Sequence, residues 1–81
     1  SLSSYVKSLD TDERPFVALP VYTSRQFRHA GIFVHEGSGI ERPADLVGKV
    51  VGTPEWQLTA GVWIRGILAD AHGVPVDSVQ Y

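Results

Sequence analysis

Residues 49–65, KVVGTPEWQLTAGVWIR, decide how the rest of the chain is read. The stretch opens as a short apolar run and turns at Gly52-Thr53-Pro54. It then passes Glu55, Trp56 and Gln57 and enters a helical pattern. A strand that runs into a helix through a polar turn is a place where ligands bind. The helix start presents unpaired N–H groups and a partial positive charge, and the carboxyl ends of parallel strands form a crevice. A strand is therefore expected over 49–53 and a helix from about Gln57 to His72. Ala60, Trp63, Ile64, Ile67, Leu68 and Ala71 share one broad face of that helix. Gly73 suits its C-cap, and Pro75 prevents continuation. The tail 76–81 (VDSVQY) reads as a turn and one more strand. Strand, helix and strand over 49–81 make a βαβ unit, so the expected fold class is α/β.

Outward from this unit, residues 1–9 place Leu2, Tyr5, Val6 and Leu9 at the spacing of an amphipathic helix, with serines to cap it. Residues 10–15 (DTDERP) read as a loop. Residues 16–21 (FVALPV) are apolar, and Pro20 confines them to an edge strand or a strand end. Residues 22–29 (YTSRQFRH) are polar and aromatic. Residues 30–35 (AGIFVH) are a strand candidate closed by a Gly-rich turn at 36–39. Residues 40–46 (IERPADL) read as a single helical turn with Pro43 at its first position, ended by Gly48.

Composition narrows the possible functions. The 81 residues carry a net charge of -2, which gives no electrostatic case for nucleic acid. No run approaches the roughly 20 apolar residues of a membrane span. Without cysteine there is neither a disulfide framework nor a thiolate metal site. The chain has no Met, opens inside a helical pattern and stops inside a strand pattern. It is therefore expected to be a segment of a longer protein, with its native N-terminus elsewhere. The helix carries a second apolar face, Leu58, Val62 and Ala69 with Arg65 among them. That face is expected to meet the remainder of the protein; single exposed apolar residues are the plainer alternative.

Two clusters carry chemistry. Arg25 and Arg28 flank Phe27 just before the expected strand. A guanidinium fork matches a carboxylate, so two arginines and an aromatic suit a planar aromatic acid. Solvated arginines beside a core phenylalanine are the plainer alternative. Glu55, Trp56, Gln57 and Thr59 sit where the helix opens. Thr59 and the N–H groups of residues 58–60 can hold an anion, and Glu55 can act as a general acid or base in a dry pocket. The alternative is simple capping, with Thr53 as the cap, Pro54 in the first turn and the helix starting four residues earlier. His29 and His35 lie six apart but have no third ligand with them, so a structural role is preferred to a metal site. His72 suits the negative end of the helix dipole.

The stretches PVYTSRQFRH (20–29), AGIFVHEGSGI (30–40), RPADLVGK (42–49) and VGTPEWQLTAGVWIRGILADAHGV (51–74) together resemble the middle of a 4,5-dihydroxyphthalate decarboxylase-type protein. SLSSYVKSL at the start resembles a segment of that family as well. The family is related in fold to the type II periplasmic solute-binding proteins. The PADL-x-GK-x-VG connector is common among solute-binding proteins. SR-x-FRH and PEWQ-x-TA-x-VW-x-RG are more specific, and both are intact here.

The resemblance implies a two-lobed α/β protein of the periplasmic-binding-protein-like II type, with the ligand between the lobes. Residues 1–27 would end the first lobe, 28–40 would form a crossing strand and turn, and 41–81 the first βαβ unit of the second lobe. Arg25, Phe27, Arg28 and His29 would reach the cleft from the crossing side. Glu55, Trp56, Gln57, Thr59 and Ala60 would reach it from the helix start. Ser3 and Ser4 would lie near the cleft from the first lobe. Arg65 matches a motif position two turns into the helix, where pairing with an acid is the structural alternative. The implied reaction is decarboxylation of a dihydroxylated aromatic dicarboxylate. His29 or Glu55 would supply the proton, Arg25 and Arg28 would hold a carboxylate, and no organic cofactor is called for; no residue here is assigned as a metal ligand. The competing implication is a non-catalytic solute-binding protein for an aromatic or small organic acid, because a shared fold does not fix function. The first would place the protein in the cytoplasm, the second in the periplasm.

Overall fold

The computed structural model describes all residues, Ser1–Tyr81. Two α-helices and two short 3-10 turns make up its regular structure. In order these are α1 (Leu2–Ser8), a 3-10 turn at Pro43–Leu46, α2 (Thr59–His72) and a 3-10 turn at Val76–Ser78.

α2 organises the molecule. Its C-terminus is closed by Gly73 in the left-handed conformation, φ 64° and ψ 29°, where a Cβ would be strained. The Val74 N–H then donates to the Leu68 carbonyl at 2.9 Å. This reversal seats Val74, the most deeply buried side chain, against Leu68, Leu46 and Val79. Ile40, Val51, Ile64 and Tyr81 pack around that cluster. The 3-10 turn at Pro43–Leu46 delivers Leu46 to it. The turn is fastened by the Asp45 carboxylate, which accepts the N–H groups of Glu41 at 3.0 Å and Arg42 at 3.1 Å.

Residues 48–51 and 78–80 run side by side in parallel. The Gly48 N–H donates to Ser78, Gln80 to Lys49 and Val51 to Gln80, at 2.7 to 2.9 Å. Val50 and Gln80 form the one parallel bridge, with α2 as the connection between them. The order is that of a βαβ unit, but each strand is reduced to the length of a bridge.

The other expected strands do not form here. Residues 16–21 are extended and exposed. The Val21 N–H turns back to the Leu19 carbonyl at 2.7 Å around Pro20, a three-residue turn that interrupts any ladder. Residues 31–35 are likewise unpaired, so no crossing strand is formed over 28–40. A strand needs a neighbour for its backbone groups, and no other segment lies in register with either stretch.

α1 forms where the spacing predicts, with Ser1 as N-cap. Its apolar face stays largely open, however, since Leu2, Val6 and Leu9 are exposed. The broad face of α2 is covered only in part: Leu68 is buried, whereas Trp63 remains exposed.

Candidate functional site

α2 begins at Thr59 with Leu58 as N-cap and no side-chain cap. The Thr53 cap with a helix start four residues earlier is therefore not adopted. Residues 54–58 instead make an irregular turn. Thr53 Oγ1 donates to the Glu55 carbonyl at 3.5 Å, and the Leu58 N–H reaches the same carbonyl at 3.3 Å.

Serines from the start of the chain meet this turn. The Ser3 hydroxyl donates to the Gln57 carbonyl at 2.5 Å, and Thr59 Oγ1 donates to Ser1 Oγ at 2.8 Å. The two helix starts thus share one hydroxyl cluster. The Ser4 hydroxyl turns back onto Ser1 at 3.4 Å instead. Thr59 and the Gln57 backbone belong to this cluster, while Ala60 faces a groove on the other side of the turn.

Arg65 departs most from expectation. Arg65 is the only buried charged residue, 7% exposed, and no acid pairs with it. Nη2 donates to the Trp56 carbonyl at 2.6 Å, and the guanidinium carbon lies 3.7 Å from the Trp56 ring centroid. Tyr81 stands 5.7 Å away on the same cation and meets Trp56 edge-on, with centroids 5.5 Å apart. Such cation–π contacts are worth about 2 kcal/mol when desolvated. A Cβ on Gly61 would come within 3.3 Å of Nη1, so glycine one turn earlier leaves room for the guanidinium. The sequence marks Tyr81, at the end of VQY, only as part of a strand. Its pairing with an arginine 16 positions earlier has no local pattern.

The second cluster lies apart in its side chains. Arg25, Phe27 and His29 are exposed, Phe27 at 93%. Arg28 is half-buried, and its Nη1 donates to Gln26 Oε1 at 3.0 Å rather than to a ligand-facing partner. The backbone nonetheless reaches α2. Residues 28–31 form a turn closed by the Gly31 N–H on the Arg28 carbonyl at 3.2 Å. A Cβ on Gly31 would stand 3.1 Å from Ile64 Cδ1. A larger residue would require Ile64 to shift by a few tenths of an ångström, so Gly31, two residues beyond SRQFRH, sits close against α2.

Glu55 is exposed, and its carboxylate takes part in no hydrogen bond or ion pair. The dry surroundings that would favour proton transfer are not supplied by this chain. His29 and His35 share no strand, and no group of three His, Asp or Glu side chains converges.

Between residues 31–34, residues 49–54 and α2 runs a groove of about 630 Å³. It is walled mostly by apolar side chains and reaches Arg65 and Tyr81. Of the nine site residues expected from sequence, only Ala60 lines it.

Comparison with known proteins gives two strong similarities. The chain is 46% identical over all 81 residues to a 4,5-dihydroxyphthalate decarboxylase of Comamonas testosteroni and spans 24% of that protein. It is also 46% identical over the same length to a 4,5-dihydroxyphthalate decarboxylase of Pseudomonas putida and spans 31% of it. The chain thus covers about a quarter to a third of the curated relatives it matches. No family model and no solved structure matches it.

Proposed function

We propose that this chain is part of a carboxy-lyase that removes one carboxylate from a dihydroxylated aromatic dicarboxylate of the 4,5-dihydroxyphthalate type, in aromatic catabolism. The observation that carries this is the 46% identity to two decarboxylases with no part of the chain left out.

In the whole protein we place the chain within a two-lobed α/β fold of the periplasmic-binding-protein-like II type. Residues 1–27 close one lobe, 28–40 cross, and 41–81 begin the second lobe. Arg25 and Arg28 hold a carboxylate, with Phe27 beside the ring. Trp56, Gln57, Thr59 and Ala60 line the opposite wall. His29 or Glu55 delivers a proton to the ring carbon that bears the departing carboxylate. The hydroxyl para to that carbon stabilises the protonated ring. The bond to the carboxylate then breaks, its electron pair restores aromaticity, and carbon dioxide leaves. The enzyme works in the cytoplasm.

The test uses the full-length protein. His29→Ala or Glu55→Gln, whichever is the proton donor, lowers kcat on 4,5-dihydroxyphthalate about 100-fold. Arg28→Met raises KM more than it lowers kcat. Saturable quenching of tryptophan fluorescence without turnover contradicts the proposal and identifies a solute-binding protein instead.

A further inference from the structure

Arg65 is a buried cation whose surroundings leave most of its hydrogen-bonding capacity unused. Guanidinium carries five N–H donors in one plane. The Trp56 ring covers a face of that plane, and the Trp56 carbonyl takes a donor at one edge. Aromatic faces attract the charge but do not satisfy in-plane N–H groups. Nε and Nη1 make no hydrogen bond, and neither is sealed from solvent.

The arginine lines the 630 Å³ groove. The chain has nine acidic residues, yet none of them lines it. Its ionisable side chains besides Arg65 and Tyr81 are His35 and Lys49, both able to carry positive charge. A groove with apolar walls, cationic groups and no acid is complementary to an amphipathic anion. A buried charge without a counter-ion is costly. An incoming carboxylate supplies that counter-ion with charge-assisted hydrogen bonds.

We propose that this groove binds an aromatic carboxylate, with the open edge of Arg65 as its receptor. The aromatic ring would lie against Ile64 and Phe33. This site is separate from the Arg25 and Arg28 pair. Only the choice of an aromatic acid as ligand rests on the function proposed above.

The experiment uses the full-length protein and phthalate, which lacks the hydroxyls needed for turnover. Calorimetric titration measures affinity in an Arg25→Met/Arg28→Met parent, which lacks the carboxylate grip proposed above, and in that parent carrying Arg65→Met or Arg65→Lys. Benzoate against benzamide measures preference for the charged ligand. Phthalate is expected to bind at least tenfold more weakly to Arg65→Met, with a smaller loss in Arg65→Lys, and the benzoate preference is expected to vanish in Arg65→Met. Should Arg65→Met fail to fold, wild-type protein with 15N-labelled arginine provides the readout: the Arg65 Nε–H resonance must shift on adding phthalate. The inference is overturned if phthalate does not bind, if that resonance stays fixed at saturation, or if folded Arg65→Met binds within about twofold of the Arg25→Met/Arg28→Met parent. Turnover of 4,5-dihydroxyphthalate with no phthalate at Arg65 removes this inference and leaves the decarboxylase. Phthalate at Arg65 with no turnover does the reverse.

Discussion

Asp45 shows how one side chain can hold a turn. Its carboxylate accepts the backbone N–H groups of Glu41 and Arg42, and the Arg42 guanidinium adds a contact at 3.4 Å. Those two backbone bonds, first Glu41 and then Arg42, hold its carboxyl below the ordinary value of 3.8. A lowered folded pKa stabilises the fold above the unfolded pKa, and the stabilisation is lost as pH falls through the folded value. Asp45→Asn should therefore melt below wild type at neutral pH, with the gap closing as pH drops below 3.8. Thermal melts of both proteins from neutral to acid pH check this; a gap that stays constant with pH contradicts it.

At the scale of elements, α2 does most of the positioning, and two substitutions measure it. Leu68→Ala removes a buried side chain from the core and should cost about 3 kcal/mol. Gly73→Ala forces a Cβ into φ 64° and should cost about 1 kcal/mol, lowering stability with little change in helix content. Denaturant unfolding of the full-length protein, read by circular dichroism, tests both.

α2 and its Gly73 cap were legible in the sequence because they rest on local signals: a 3.6-residue apolar period, a glycine and a following proline. The turn at Pro43–Leu46 was legible for the same reason. The strands were not. Alternation and apolar runs announce a preference for extended backbone, but pairing depends on a neighbour that is distant in sequence. Residues 31–35 have the composition without the partner, and residues 49–53 keep one bridge. The site divides in the same way. Trp56 and Thr59 stand out in the sequence by their place just before and at a helix start. The stack of Arg65 on Trp56 and Tyr81 joins three separate segments, which no spacing rule connects.

The molecule as a whole exposes more surface than its size warrants. Its accessible area is 6813 Å², whereas a compact monomer of 8.9 kDa exposes about 4800 Å². Its radius of gyration is 15.1 Å, against about 12 Å for a compact domain of this length. The excess is about 2000 Å². It includes Phe16, Leu19, Tyr22, Phe27 and Trp63. These side chains fit a chain covered by further protein, in line with the proposed place of residues 1–81 inside a two-lobed enzyme. The 81 residues alone should therefore bind a hydrophobic dye strongly and turn over no 4,5-dihydroxyphthalate, whereas the full-length protein should bind little dye. Measurable catalysis by the 81 residues would contradict a site built between lobes.

The central claim, that this chain belongs to an aromatic-acid decarboxylase, is tested most directly by product stoichiometry in the full-length protein. Carboxyl-labelled 4,5-dihydroxyphthalate is incubated with it, and labelled carbon dioxide and ring product are counted together. The account predicts one carbon dioxide released for each substrate consumed, with 3,4-dihydroxybenzoate as the ring product. Substrate bound to saturation and recovered unchanged would contradict it.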